Sequence, residues 1–175
     1  MQTQAIVIPE KTFGTTVWAK FKQFERSCYT DILWLHSARF YRRNAFEAIG
    51  GYNAHLIGTE DFDIQTKIIR TFGASAVGYA SAAILHNEGN LILSKLLKKK
   101  YYYGSKIHAY AKQSRHQWYF YMQINPFVRT VIFVRNANYA IHHPTIFALT
   151  CMMKMLEFFA IGLGYVSNRL QQYKS

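Results

Sequence analysis

The sequence predicts an α/β fold followed by a helical C-terminal region, and three observations support this prediction. Short apolar runs of strand length alternate with helical patterns up to about residue 90. An early segment carries apolar residues three and four positions apart, as an amphipathic helix does. Beyond residue 90 the patterns are helical and are interrupted at Pro126 and Pro144. We therefore expect an α/β unit at residues 1–90 and a basic, aromatic-rich helical region at residues 91–175.

The first predicted elements are a strand and an amphipathic helix. Residues 5–8 form a short apolar run that Pro9 ends, which is typical of a buried strand followed by a turn. Thr15 or Thr16 is expected to cap a helix that runs to about Tyr29. The apolar residues of this helix share one face, which we expect to be buried. They are Val17, Phe21, Phe24 and Cys28.

A strand and two helices are predicted next. Residues 33–42 have a strand pattern, after which Asn44 is expected to cap a short helix that stops at Gly50. Thr59 is expected to cap the following helix, which Gly73 ends. Each boundary is predicted from residue types that satisfy the free backbone groups at helix ends.

Two short strands and a long basic helix follow. Residues 76–80 and 82–85 have strand patterns and lead into the segment His86-Asn87-Glu88-Gly89. Residues 91–113 are expected to form the basic helix, and the rest of the chain is expected to be helical. We find no internal repeat and no low-complexity linker.

The charge of the chain predicts a partner that carries phosphate. Its 175 residues include 21 Lys and Arg against 9 Asp and Glu, a formal net charge of +12. Such a chain is attracted to nucleic acid, anionic lipid headgroups or phosphorylated small molecules, although a basic, solvated surface is the alternative. The abundant aromatic residues suit sugar-binding surfaces and membrane interfaces as well as cores. No nucleic-acid-binding motif occurs, so we expect no nucleic-acid partner.

The cysteines and the apolar segments bear on location. Cys28 and Cys151 lie far apart without metal-binding spacing, and we expect reduced thiols in a cytosolic compartment. The first residues do not resemble a signal peptide. Residues 144–166 are the most apolar, but Lys154 and Glu157 lie at their centre, where a charge costs about 2.5–3.5 kcal/mol in a bilayer. We therefore expect a core helix, or a peripheral helix on the cytoplasmic face of a membrane, rather than a span.

An acidic cluster is the first candidate for chemistry. Glu60, Asp61 and Asp63 fall within four positions at a predicted helix start. They could simply stabilise the helix N-terminus, where exposed amides favour negative charge. Alternatively, one carboxylate faces a cleft and acts as a general base, because a carboxylate within hydrogen-bond reach can take a proton from a hydroxyl.

A histidine and two basic clusters are the other candidates. His86 ends a predicted strand, where α/β folds place their sites, and could bind a divalent metal or a phosphate, or be structural. The lysines of residues 95–100, followed by three tyrosines at 101–103, could contact a diphosphate or an anionic lipid, or form a solvated face. Arg39 and Arg42 belong to a second cluster, in which a buried guanidinium would need a carboxylate or phosphate partner.

Three motifs occur in a fixed order along the chain: Arg39-Phe40-Tyr41-Arg42-Arg43 with Phe46, then Gly50-Gly51-Tyr52, then Glu60-Asp61-Phe62-Asp63. This series closely resembles the acceptor-side block of family 2 glycosyltransferases with a GT-A fold. Further segments are similar to a microbial, membrane-associated subgroup, so that the likeness covers nearly the whole chain. They are Ile8-Pro9-Glu10, Trp18-Ala19-Lys20, Glu25-Arg26, His86-Asn87-Glu88-Gly89, Lys99-Lys100-Tyr101-Tyr102-Tyr103-Gly104 and Lys154-Met155-Leu156-Glu157.

The resemblance implies transfer of a sugar from a nucleotide-diphosphate donor to an acceptor hydroxyl, usually with inversion. It implies that Asp61 is the general base and that Glu60 orients the acceptor or the donor. A divalent metal, Mg or Mn, would balance the donor diphosphate, with His86 as a further contact. The resemblance also implies a lipid-linked or phosphate-bearing acceptor. The residues expected to bind the acceptor or its phosphate are Arg39, Arg42, Trp34, Lys99, Lys100 and Tyr103.

The sequence departs from the family pattern in ways that change the expected activity. In the family, a nucleotide-binding half with D-x-D aspartates precedes this block, but no D-x-D lies upstream of Ala38, and Asn53 stands where Asp often follows G-G-Y. We therefore expect a partial GT-A (Rossmann-like) domain at residues 1–90 that lacks the N-terminal nucleotide-binding strands. It would be a fragment, a split-gene product or half of an enzyme completed by a second polypeptide. The alternative is a non-catalytic basic module that binds a membrane or a partner.

Overall fold

The computed structural model describes residues 2–29, 32–114, 118–135 and 141–172, which form a mixed α/β structure with two small sheets and a long C-terminal helix. The predicted helical remainder of the chain includes residues 115–117, 136–140 and 173–175, which lie outside the described residues. The α/β class and the helical C-terminal part are therefore confirmed, while the division into two units near residue 90 stays a prediction.

The first sheet has three strands in the order β3-β1-β4. Strand β1 (Ala5–Val7) pairs antiparallel with β3 (Phe40–Tyr41) and parallel with β4 (Val77–Tyr79). Ala5 and Val7 are buried, and they pack with residues of the helices beneath the sheet. The predicted strands at residues 5–8 and 76–80 are therefore confirmed with small shifts of their ends.

The second sheet consists of β2 (Glu10–Phe13) and β5 (Ile84–Asn87), which run parallel. Strand β2 follows Pro9, where the sequence predicts a turn rather than a further strand. Proline removes a backbone donor but keeps its carbonyl, and the oxygen of Pro9 accepts a hydrogen bond of 2.8 Å from the backbone N–H of Ile84. The extended chain therefore continues past Pro9 into a second pairing.

Helix α1 (Val17–Ser27) begins where the sequence predicts. The hydroxyl of Thr16 accepts a hydrogen bond of 3.2 Å from the backbone N–H of Ala19, which satisfies one free donor of the first turn. Phe21 and Phe24 are buried as expected. Val17 is 53% exposed, so the prediction for that residue is wrong. As the first residue of the helix, it lies beyond the edge of the buried face.

Two local predictions in the next segment are wrong. Residues 33–42 do not form one strand: Leu33–Leu35 form a 3-10 turn, and pairing is confined to β3. The apolar residues of this turn pack against buried residues of helices instead of joining the sheet. Asn44 does not cap helix α2 (Arg43–Ala48) but lies inside it, where its Oδ1 accepts from the backbone N–H of Ala45.

Helix α3 (Glu60–Phe72) has the predicted boundaries. Thr59 occupies the N-cap position, but its side chain makes no capping hydrogen bond. Gly73 ends the helix with a φ of 83°, a left-handed conformation that glycine adopts at little cost. The first turn carries Glu60, Asp61 and Asp63, as the sequence predicts.

The C-terminal part is built on two long helices that run side by side. They are α4 (Leu93–Ser114) and α7 (Pro144–Gln172), with α5 (Trp118–Ile124) and α6 (Pro126–Val134) between them in the chain. Contacts advance together along both, from Gly104 against Ile161 to His108 against Tyr165, so the two helices are parallel. Helix α7 also packs on α1.

The outer face of α7 is apolar. Among the described residues, one helix is long and apolar enough to cross a membrane by length and composition, Pro144–Gln171, and only 22% of its most apolar window is buried. Exposed apolar side chains recur along it every three or four residues and so share a face. They are Met155, Phe159, Leu163, Val166 and Leu170. We call this set the apolar face of α7.

Candidate functional site

A cavity of about 340 Å³ lies where the first sheet, α1, α3 and the C-terminal helices meet. Six cationic side chains and three carboxylates line it. The cations are Lys22, Arg26, Arg39, Lys100, Arg129 and Lys154, and the carboxylates are Glu10, Glu25 and Asp61. We call it the charged cavity. Its excess of positive charge favours an anionic ligand.

Asp61 borders the charged cavity from the first turn of α3. Its side chain is 46% exposed, and its Oδ2 lies 4.0 Å from Arg39. Burial raises the pKa of the Asp61 carboxyl above its ordinary value, and Arg39 partly opposes that rise by favouring the charged form. A carboxylate whose pKa is raised accepts protons more readily, which suits a general base.

Glu60 is placed differently from its neighbour. It is not among the side chains that line the charged cavity, and its Oε2 is buried without a hydrogen-bond partner among the described residues. A carboxylate oxygen in this position needs a donor that the described residues do not supply. Because the Glu60 side chain does not line the charged cavity, the structure shows no contact through which Glu60 would orient a ligand there.

One rim of the charged cavity is a network of carboxylates and guanidinium groups. Arg39 donates to Glu10 at 2.6 Å, and this bond raises the pKa of Arg39. Arg26 lies 3.3 Å from Glu10 on β2 and 2.9 Å from Glu88, the residue that follows β5. His86 lies between the same two carboxylates, 3.7 Å from Glu10 and 3.6 Å from Glu88. The parallel pairing of β2 with β5 brings these residues together.

The surroundings of His86 do not fit a metal centre made by this chain alone. No group of three or more His, Cys, Asp or Glu side chains in the described part of the chain could hold a metal ion. The carboxylates beside His86 are already bound by Arg26 and Arg39, whose positive charges would repel a cation placed there. No step of the reaction proposed below is therefore assigned to a metal at His86.

The floor of the charged cavity is a buried ion cluster that joins α1, α4 and α7. Lys154 Nζ lies 2.6 Å from Glu25 and 2.7 Å from Glu157. Lys22 Nζ contacts Glu25 and lies 2.9 Å from Glu157. Lys100 Nζ reaches Glu157 at 3.5 Å. Three lysines thus share two glutamates, and the cluster keeps one unbalanced positive charge.

Burial and pairing set the charge states of this cluster. Burial alone would raise the pKa of Glu157, but Lys154, Lys22 and Lys100 together outweigh it and the pKa falls to about 2. Burial would likewise raise the pKa of Glu25, which Lys154 and Lys22 hold well below its usual range. Burial lowers the pKa of Lys100 to about 8, against the attraction of Glu157. Both glutamates are therefore ionised at neutral pH, and the Lys100 amine loses its proton more readily than an ordinary lysine does.

A second, smaller cavity of about 170 Å³ lies between α4, α5 and α7. Its walls are mainly apolar, and we call it the apolar cavity. Tyr103, Ile107 and Tyr110 line it from α4, and Phe158 and Ile161 line it from α7.

The structure brings some of the predicted binding residues to these cavities and leaves others outside. Arg39 lines the charged cavity, Tyr103 lines the apolar cavity, and Lys100 lines both. The others line neither cavity. Arg42 donates to the backbone oxygen of Thr3, Trp34 packs in a buried cluster, and Lys99 lies over the ring of Tyr103.

The sequence does not point to several residues of the charged cavity and of its ion cluster. Lys22, Lys154 and Arg129 line the cavity, and Glu157 belongs to the cluster. The signal was available for two of them, because Lys154 and Glu157 interrupt the most apolar segment of the chain. Charges in such a segment must be paired when they are buried, and a pair three residues apart on a helix predicts a buried ionic contact.

No protein-family model, curated protein or solved structure matches this chain. The resemblance to family 2 glycosyltransferases therefore stays a prediction from its motifs. The function is argued below from the two cavities and the residues that line them.

Proposed function

We propose that this chain is the acceptor-side, general-base half of a family 2 glycosyltransferase with a partial GT-A fold. The observation that carries the proposal is the position of Asp61, half-exposed at the border of a cavity whose other charged side chains are mostly cations. A carboxylate at an open, electropositive cavity can meet both a hydroxyl group and an anionic substrate. A carboxylate that only caps a helix has no need of such a cavity.

In the proposed reaction, Asp61 takes the proton of an acceptor hydroxyl. The hydroxyl oxygen forms a bond to the anomeric carbon of the donor sugar, while the bond from that carbon to the nucleotide diphosphate breaks. The nucleotide diphosphate leaves with the electron pair, and attack from the opposite face inverts the anomeric centre. Arg39, 4.0 Å from Asp61, favours the ionised form of the carboxylate, which is the form that accepts the proton.

The donor needs groups that the charged cavity does not supply. We propose that a second polypeptide provides the nucleotide-binding half, together with the ligands of a divalent cation, Mg or Mn, that balances the donor diphosphate. Exposed apolar side chains on the strands support this proposal, because a second polypeptide would cover them. Leu85 on β5 is 70% exposed and Phe40 on β3 is 61% exposed. Such apolar strand surfaces are usually covered in a complete sheet.

The test is sugar transfer by the chain combined with a nucleotide-binding half. Asp61→Asn should lower the transfer rate by about 10²–10⁴-fold, because general-base catalysis contributes that much. Glu47→Gln is the control, since Glu47 pairs with Arg43 on the exposed surface of α2. Transfer by Asp61→Asn at the wild-type rate would overturn the proposal. In calorimetry, we expect the isolated chain to bind no UDP- or GDP-sugar at micromolar concentration.

The second candidate function is a basic, membrane-binding module without catalysis, and the apolar face of α7 favours it. Exposed lysines on the adjacent α4 include Lys95, Lys98 and Lys106, which would attract anionic lipid. Both candidates place the chain at the cytoplasmic face of a membrane, and we propose that location. Asp61→Asn separates them: it should abolish transfer and leave sedimentation with anionic liposomes unchanged. Phe159→Gln should weaken sedimentation, because Phe159 lies on the apolar face.

A further inference from the structure

The charged cavity and the apolar cavity share a wall. Gly58, Phe62, Lys100, Arg129 and Lys154 line both of them. Three of these five residues are cations, so positive charge is concentrated where the two spaces meet. A ligand that occupied both cavities would pass directly over this junction.

The junction contains polar groups that lack partners. Nε of Arg129 is buried and has no hydrogen-bond partner in the described part of the chain, where no ion pair joins Arg129 to a carboxylate. Oγ1 of Thr59, in the wall of the apolar cavity, is also buried without a described partner. Lys100 has 24% of its side chain exposed, and its one ion pair within the described residues is the 3.5 Å contact with Glu157. Buried donors of this kind are usually satisfied, so the junction fits a bound acceptor of hydrogen bonds.

The order of chemistry along the two cavities is directional. The apolar cavity is lined by Ile107, Phe158 and Ile161, none of which lines the charged cavity. The cations Lys100 and Arg129 lie at the junction. Asp61 lines the charged cavity and is not among the side chains of the apolar cavity. An apolar surface is therefore followed by a cationic one and then by the carboxylate of Asp61, the proposed general base.

We propose that the two cavities together bind an amphiphilic acceptor made of an apolar chain, a phosphate or diphosphate, and a sugar. The apolar chain lies between α4 and α7, the phosphate lies on Lys100 and Arg129, and a sugar hydroxyl reaches Asp61. A free phosphosugar would leave the apolar cavity unused, and a neutral glycolipid would bring no negative charge to Arg129, whose buried Nε has no hydrogen-bond partner among the described residues. The inference rests on the proposed function, because it names the acceptor of that same site.

The experiment measures binding alone, so that it does not depend on transfer. Octyl phosphate, inorganic phosphate and octanol are titrated separately into the full chain by calorimetry, with no donor present. Octyl phosphate should bind at least about tenfold more tightly than inorganic phosphate, since two buried methylene groups already supply that factor. It should also bind about tenfold more tightly than octanol, because a charge-assisted hydrogen bond contributes that much.

Variants assign the binding to the junction. Lys100→Met should weaken octyl phosphate about tenfold and leave octanol unchanged. It removes the unbalanced charge of the ion cluster, so folding should be retained. Lys112→Met is the matched control, since Lys112 is exposed on the same helix and lines neither cavity. Ile107→Asn should weaken octyl phosphate and octanol but not inorganic phosphate.

The outcomes separate this inference from the proposed function. Equal binding of octyl phosphate and octanol, or equal losses in Lys100→Met and Lys112→Met, would overturn the amphiphilic acceptor and leave the role of Asp61 open to its own transfer assay. Equal binding of octyl phosphate and inorganic phosphate would mean a phosphosugar without a lipid chain, and would also overturn it. The wild-type comparison of three ligands decides the matter even where a variant fails to fold.

Discussion

Nζ of Lys154 on α7 lies 2.6 Å from Oε1 of Glu25 on α1, and both side chains are almost completely buried. This contact joins the last long helix of the chain to the first. Lys154 and Glu25 both line the charged cavity, so this ion pair also forms part of the cavity wall. The docking of α7 and the charge of the proposed acceptor site therefore depend on the same pair.

The first prediction concerns the other carboxylate of this cluster. Glu157 has no exposed side-chain surface and contacts Lys22, Lys100 and Lys154. Glu157→Gln should destabilise the chain by about 3–5 kcal/mol, because breaking a buried ion pair leaves uncompensated charge. The measurement is the free energy of unfolding in urea. Glu47→Gln, which breaks an exposed pair on α2, should cost about 1 kcal/mol or less. Equal losses in both variants would show that the cluster does not stabilise the fold.

The second prediction is an acid-dependent loss of stability. The pKa of Glu157 is lowered from 4.5 in the unfolded chain to about 2 in the folded chain, so the unfolded state binds more protons between these values. The stabilisation is present above about pH 4.5 and is lost as the pH falls toward 2. Urea midpoints measured across this range should fall more steeply for the wild type than for Glu157→Gln. If the urea midpoints of the two proteins fell in parallel with pH, the loss of stability would not come from protonation of Glu157.

The third prediction tests the close contact of α4 and α7. A Cβ atom added at Gly104 would overlap the backbone oxygen of Ile161, and one added at Gly164 would overlap that of Tyr101. Gly104→Ala and Gly164→Ala should each destabilise the chain by about 1–3 kcal/mol, because the helices must move apart. Gly162→Ala is the control, since no atom lies within 4 Å of its added Cβ. That variant should be stabilised by about 1 kcal/mol through helix propensity, as a shift in Tm would show.

The fourth prediction is a pH dependence of octyl phosphate binding. The pKa of Lys100 is lowered to about 8 by burial, and a bound phosphate prefers the protonated amine. The phosphate monoester is already dianionic above about pH 7, so affinity should be highest near pH 7 to 8 and fall as the pH rises further. Other charged groups face Lys100 from α1, α6 and α7. They are Lys22, Glu25, Arg129, Lys154 and Glu157.

A guanidinium group removes this titration while keeping the charge. Lys100→Arg should therefore bind octyl phosphate with little change in affinity up to about pH 10, because arginine stays protonated there. Calorimetric titrations of both proteins in matched buffers give the comparison. A decline of the same size in Lys100→Arg would assign the pH dependence to another group.

Local chemistry explains the parts of the fold that were predicted correctly. Thr16 at the start of α1 and Gly73 at the end of α3 satisfy backbone needs that involve only neighbouring residues. The acidic first turn of α3 is likewise a local feature, so Asp61 could be selected as a candidate base before its surroundings were known. By contrast, residues 33–42 were predicted as one strand because apolar residues alone do not specify whether they pack in a sheet or against helices.

The sequence by itself determined the α/β class, the start of α1 after Thr16, the two ends of α3, the basic charge and the position of Asp61 at a helix start. Only the tertiary structure decided that Glu25 and Glu157 share buried lysines, and that Lys100 and Arg129 stand between a charged and an apolar cavity. These contacts join residues far apart in the chain. Their geometry depends on how α4 and α7 pack on α1, and that packing is a property of the whole core rather than of any local pattern.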